Sequence, residues 1–201
     1  ESRGLGDVYK RQPYMKISPE KLDELIKIVH LAGIEIIKIY KKKVTKKYKS
    51  DNTPVTNADI RANNIICKGL KLHFPEVSIV SEEQVKKGKA AKKFWLVDPL
   101  DGTKEFLKGN GEFTVNIGLI ENKKPVFGII YMPTKNKLYF TKDKKSYFSK
   151  LSKKGQLSNI RKIKVKKRNK NIVILSRSHS LAKSEIEKAK KMIFQRFNAD
   201  K

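Results

Sequence analysis

The stretch Phe94-Trp95-Leu96-Val97-Asp98-Pro99-Leu100-Asp101-Gly102-Thr103 reads as an apolar strand that delivers carboxylates at its carboxyl end. Phe94–Val97 is a short run of buried-strand type with Trp95 as a core residue, and Pro99 fixes a turn directly after Asp98. Asp101 follows three residues later, so two carboxylates on a tight turn can point into one space. Uncompensated they repel, and a hard dication between them is the natural partner. Mg²⁺ suits such a site because it takes a few carboxylates and completes its shell with water and substrate phosphate. The Gly102-Thr103 step opens the next segment, where backbone N–H groups at a helix start can meet a phosphate. The plain alternative is an Asp-rich turn with two capping carboxylates, which leaves the complete D-P-L-D-G-T run after a W-L-V strand unexplained.

Working outward, Ser18-Pro19-Glu20 is a helix start: a capping hydroxyl, a proline suited to the first position and an acid in the first turn. Leu22, Leu25, Ile26, Val29, Ala32, Gly33, Ile36, Ile37 and Tyr40 recur at three- and four-residue spacing, which predicts an amphipathic helix over about 18–42. The polar stretch Lys46–Pro54 breaks it. A second helix is expected from Thr56-Asn57-Ala58-Asp59 to about Phe74, with Thr56 as cap and Asp59 in the first turn. Val77–Ser81 reads as a buried strand. Phe113–Ile120 and Pro125–Met132 flank the polar Glu121-Asn122-Lys123-Lys124 and predict a β-hairpin. Leu138–Thr141 adds a strand, and Tyr147–Gln156 reads as polar connection. Arg161–Lys170 holds seven basic residues in ten with Ile163 and Val165 alternating, the pattern of a charged edge strand or hairpin arm. Ile172–Leu175 is a further strand candidate and Leu181–Phe197 an amphipathic helix. There are no internal repeats, and the order of elements argues for a layered α+β protein.

The bulk properties set bounds on function. A chain of 201 residues with 38% hydrophobic content and 17 aromatics can bury a core as one domain or a closely packed pair. No apolar run reaches the roughly 18 residues of a membrane span, and no secretory h-region is present. The single cysteine, Cys67, falls in a helical pattern as a small buried hydrophobe, consistent with a cytoplasmic chain. The net charge of +27 raises nucleic-acid binding. The lysines are spread along the whole sequence rather than gathered in a stripe, so no specific nucleic-acid partner is expected. A positive field still helps an anionic small substrate arrive.

D-P-L-D-G-T at Asp98–Thr103 resembles the central motif of the inositol monophosphatase superfamily. Its continuation, Lys104-Glu105-Phe106 with Asn110-Gly111-Glu112-Phe113-Thr114-Val115-Asn116-Ile117, is similar to the CysQ-type branch, the 3'(2'),5'-bisphosphate nucleotidases. Asp51-Asn52-Thr53-Pro54-Val55-Thr56-Asn57-Ala58-Asp59 resembles that branch's D-N-S-P-V-T-x-A-D segment, and Ser81-Glu82-Glu83 its S-E-E turn. The likeness runs from about Leu22 to the Ile174–Ser180 region in four ordered motifs. It implies a layered α-β-α-β-α sandwich of the inositol monophosphatase type. It also implies Glu82, Asp98 and Asp101 as carboxylate ligands of Mg²⁺, with the Leu100 carbonyl as a backbone ligand. Asp59 and Thr103 match the pair that activates the attacking water. Glu82, Leu100, Asp101, Gly102 and Thr103 would meet substrate, with Ser176 and His179 of Ser176-Arg177-Ser178-His179 as candidate nucleotide contacts. Glu83 reads as a solvated neighbour. His30 and His73 fall in helical patterns and receive no role.

The family supplies a further carboxylate from a W-D motif after a Gly-rich helix start, and nothing after His179 matches either. The expected organisation is therefore residues 1–12 as a non-native leader, 13–150 as an N-terminal α+β metal-phosphatase domain, and 151–201 as the start of an incomplete, truncated C-terminal α/β domain. The resemblance implies Mg²⁺-dependent removal of the 3'-phosphate of adenosine 3',5'-bisphosphate, with activity extending to its sulfate-carrying precursor (PAPS). This is chemistry of sulfur metabolism, cytoplasmic or peripheral at the inner membrane. Two alternatives stand beside it: an inositol-monophosphatase-like sugar phosphatase, and an inactive basic remnant that binds nucleic acid.

Overall fold

Local sequence chemistry sets both long helices. Helix α1 spans Pro19–Tyr40, with Ser18 as N-cap accepting from the Lys21 backbone N–H at 3.3 Å. Its buried stripe holds Leu22, Leu25, Ile26, Val29, Ala32 and Ile36, as the three- and four-residue spacing predicts. Helix α2 spans Asn57–His73 and opens with a capping box between Thr56 and Asp59. The two helices meet along Gly69, where an added Cβ would lie 2.6 Å from Ile28 Cγ1. The computed structural model describes residues 17–42, 46–48, 54–83 and 91–164.

Two short strands, β1 (Lys46–Tyr48) and β2 (Pro54–Thr56), pair antiparallel and lead into α2. Among the described residues the main sheet has seven strands in the order of the sequence: β3 (Ser78–Ser81), β4 (Lys93–Asp101), β5 (Thr114–Glu121), β6 (Lys124–Met132), β7 (Lys137–Lys142), β8 (Lys145–Leu151) and β9 (Leu157–Ile163). Only β3 and β4 run parallel, and every later neighbour is antiparallel. The β5–β6 hairpin turns at Asn122 and Lys123, both with positive φ (50° and 63°), the geometry that matches the twist of the flanking strands. A short helix, α3 (Thr103–Lys108), links β4 to β5.

The sheet buries one face against α1 and α2. Trp95 and Val97 of β4, Ile117 and Leu119 of β5, and Ile129 and Tyr131 of β6 join the helix stripes in one core. Trp95 is fully buried, with Phe74 and Phe127 edge-on at 5.0 and 6.1 Å between ring centres. The layered α+β arrangement expected from the order of elements is present, with a mixed rather than purely antiparallel sheet. Cys67 is buried in α2, and no helix of the described residues is long and apolar enough to cross a membrane.

Two expectations are corrected. Tyr147–Gln156 is not a polar connection, because most of β8 lies within it and pairs with both β7 and β9. Its alternation is hidden by a register shift between Phe148 and Lys150, where Ser149 is fully buried. The Ser149 hydroxyl donates to the Ser158 carbonyl at 2.7 Å and accepts from the Ser158 N–H at 3.2 Å, so a polar side chain does the work of the ladder. Second, β4 does not end at Asp98; it continues to Asp101 through an irregularity. The charged strand expected over Arg161–Lys170 overlaps the last residues of β9, the final strand of the sheet order. The strand expected at Ile172–Leu175 and the helix at Leu181–Phe197 lie outside the described residues.

Candidate active site

The irregularity in β4 positions the acids. Asp98 pairs with Asn116 and Asp101 with Thr114, so three steps along β4 match two along β5. One extra residue is a β-bulge. In a regular strand, residues three apart point to opposite faces. Here Pro99 and Leu100 are buried in succession, and Asp98 and Asp101 emerge on the same face, away from the core. The feature read from sequence as a proline turn is thus a bulged strand, and the bulge is what brings the two carboxylates together.

Glu82 joins them because β3 is parallel to β4. Ser81 pairs with Val97, and the Glu82 N–H donates to the Val97 carbonyl at 3.1 Å, which sets Glu82, just past the end of β3, beside Asp98 where β4 begins to bulge. The proximity has an electrostatic signature. Burial first, then the charges of Glu82 and Asp101, push the Asp98 carboxyl up to about 7, against a lowering contact from the Leu100 N–H. Among the described residues no three His, Cys, Asp or Glu side chains converge as a ready-made metal cage. The negative charge that Glu82 and Asp101 place on Asp98 nevertheless fits a hard divalent cation, which needs few protein carboxylates and takes its remaining ligands from water and phosphate.

The second half of the site is built on the α2 capping box. Asp59 is buried, and its Oδ2 accepts from the Thr56 N–H at 2.8 Å and the Thr56 hydroxyl at 2.5 Å. That leaves Oδ1 for the Thr103 hydroxyl, at 3.1 Å. The Leu100 carbonyl is also within reach of Thr103 Oγ1, at 3.2 Å. One hydroxyl hydrogen cannot satisfy both fully, and the charged carboxylate is the stronger acceptor. Burial raises the Asp59 carboxyl, while hydrogen bonds from Thr56 and Thr103 oppose the rise. Gly102, at φ 94°, brings Thr103 round: an added Cβ would lie 2.8 Å from the Glu112 carbonyl oxygen.

The structure therefore brings together Asp59, Glu82, Asp98, Leu100, Asp101, Gly102 and Thr103 as the sequence motifs suggest, while Ser176 and His179 lie outside the described residues. Two neighbours were not anticipated. Asn63, one turn beyond Asp59, accepts from the Ser81 hydroxyl at 2.6 Å and so ties α2 to the strand that precedes Glu82. Asn116 donates from Nδ2 to Asp101 Oδ2 at 3.0 Å. The only sequence signal for these was an amide at i+4 from Asp59 and another at an outward position of β5.

Residues 19–200 match the profile of the inositol monophosphatase family. The 3'(2'),5'-bisphosphate nucleotidase CysQ of Buchnera aphidicola is 42% identical over 176 residues, covering 84% of this chain and 64% of that protein. The enzyme of the same name from Escherichia coli K12 is 39% identical over 164 residues, covering 79% and 64%. The crystal structure of CysQ from Bacteroides thetaiotaomicron superposes with a TM-score of 0.62 at 32% identity, over 83% of this chain and 66% of that one. The chain thus spans 64% of the length of the two curated relatives.

Proposed function

The chain belongs to the inositol monophosphatase family, and from that premise we propose that it carries the active site of a Mg²⁺-dependent 3'(2'),5'-bisphosphate nucleotidase. The reaction is hydrolysis of the 3'-phosphate of adenosine 3',5'-bisphosphate to AMP and phosphate, and the sulfate-carrying analogue PAPS is a second substrate. The observation that carries the reading is the Thr103 hydroxyl, 3.1 Å from Asp59 Oδ1, on the bulge that also presents Asp98 and Asp101.

Glu82, Asp98, Asp101 and the Leu100 carbonyl would hold the cation. When bound, Mg²⁺ acidifies water and neutralises charge on the phosphoryl oxygens. The protein's own part is proton handling and orientation. Thr103 donates its hydrogen to Asp59 and so offers a lone pair to the attacking water. The water proton passes to Thr103 Oγ1 as the threonine proton passes to Asp59, whose burial favours taking it. The water oxygen forms the new bond to phosphorus. The bond from phosphorus to the ribose 3'-oxygen breaks, and that oxygen leaves with the electron pair and gains a proton from solvent. Ser176 and His179 are the candidate nucleotide contacts.

The test is phosphate release from adenosine 3',5'-bisphosphate and from inositol 1-phosphate, with Mg²⁺ and with chelator. Faster, Mg²⁺-dependent turnover of the nucleotide, abolished by Asp98→Asn, is expected. A preference for the inositol ester, or activity that survives Asp98→Asn, would overturn the proposal.

A further inference from the structure

We propose that Asn116 is a positioning residue for the cation end of the site, its amide holding the Asp101 carboxylate in the orientation that meets a divalent cation. This rests on the reading of Asp98 and Asp101 as cation ligands. Asn116 lies directly across the ladder from Asp98, on the face where both acids emerge. Its backbone is pinned by the buried neighbours Val115 and Ile117. Asp101, by contrast, is exposed, and a lone exposed carboxylate samples several rotamers. The 3.0 Å bond from Asn116 Nδ2 fixes one Asp101 oxygen and leaves the other for a ligand.

The orientation of the amide itself has only one sensible choice. A flip would set Oδ1 against a carboxylate oxygen, acceptor against acceptor. In the orientation adopted, Oδ1 is buried without a hydrogen-bond partner, a cost that a purely structural residue would shed by becoming apolar. An amide is also the right chemistry for the task. A lysine would donate equally well but would cancel the negative charge that draws the cation, and an aspartate would add repulsion without a donor. Partners that orient metal-binding side chains in this way typically govern affinity by about 10- to 100-fold.

The test titrates Mn²⁺, as a stand-in for Mg²⁺, into the full 201-residue chain and counts free ion by its EPR signal. Asn116→Ala and Asn116→Leu should each weaken binding by about 10- to 100-fold. In an Asp101→Ala background the same changes should cost nothing further, because the contact is already gone. Thermal unfolding of every variant separates this from a structural role, which would lower Tm and leave the affinity of the folded chain intact. Unchanged affinity in both Asn116 variants, or an equal loss with and without Asp101, would overturn the proposal. Asp98→Asn is the control for the site reading: if it leaves Mn²⁺ binding untouched, that reading falls first.

Discussion

At the scale of single residues, the fold raises the carboxyls of two site acids, Asp59 and Asp98, and their different surroundings give a prediction each. Asp59 has one oxygen committed to Thr56 and one to Thr103. Asp59→Asn keeps the shape but replaces an anionic acceptor by a neutral amide, so the relay from Thr103 loses its terminus. Turnover should fall by about 10²-fold or more, while Mn²⁺ binding stays within a few-fold, since Glu82, Asp98 and Asp101 are intact. A parallel loss of metal affinity would show that Asp59 acts in the cation site rather than on water. Asp98 makes the second prediction, for chelated protein. Its carboxyl is raised from an ordinary 3.8 to about 7, chiefly by burial and then by Glu82 and Asp101. A group raised on folding stabilises the native state below its unfolded pKa, and that contribution is lost as pH climbs through the folded value. The metal-free chain should therefore melt at progressively lower temperature from about pH 4 to about pH 7. Asp98→Asn should flatten that dependence and raise Tm at pH 8 in chelator while abolishing hydrolysis. Identical pH profiles for the two proteins would refute it.

At the scale of elements, the α1–α2 contact offers a case where two opposing effects can be weighed. Gly69 lies within α2, where alanine would be favoured by about 1 kcal/mol on helix propensity. Against that, the added Cβ would sit 2.6 Å from Ile28 Cγ1 and 2.8 Å from its Cδ1, an overpacking that costs about 1–3 kcal/mol in a closed core. Overpacking wins, so Gly69→Ala should lower stability in denaturant melts, and Ile28→Ala should cost less in that background than in the parent chain. An Ala variant more stable than the parent would mean that α1 shifts freely on α2. The same scale explains what could be read without a structure. The two helices, the β5–β6 hairpin and Thr56 as a cap were legible because each is signalled within a few residues. The acids Glu82, Asp98 and Asp101 were legible because motif order carries them. The bulge was not, since a residue inserted against β5 leaves no local mark except an awkward proline. Strand β8 was hidden by its own register shift and by Ser149, a buried polar residue satisfied only by Ser158 nine positions away. Asn63 and Asn116 escaped for the same reason: each takes its meaning from a partner on another strand or helix.

At the scale of the whole molecule, the charge of +27 must act on both stability and substrate capture, and it acts on them in opposite directions. Like charges spread over a folded chain repel one another and destabilise the compact state. The same field draws a multiply charged anion toward a site that itself carries Glu82, Asp98 and Asp101, and so counters the repulsion those acids would otherwise present. Salt removes both effects together, because the screening length shrinks from about 10 Å at 0.1 M to about 3 Å at 1 M. Raising the concentration of an indifferent salt should therefore increase Tm while lowering kcat/KM for the nucleotide by about 10-fold or more. Since the chemical step uses groups already in contact, kcat at saturating substrate should change far less than KM. The uncharged-leaving-group comparison sharpens this: inositol 1-phosphate carries fewer charges and should lose less of its kcat/KM over the same range. A chain that bound nucleic acid through its lysines would instead show steep salt release of DNA or RNA with no Mg²⁺-dependent turnover to screen. Equal salt sensitivity for both esters would show that the field does not select among anions, and that any preference for the nucleotide comes from contacts at the bound sugar and base.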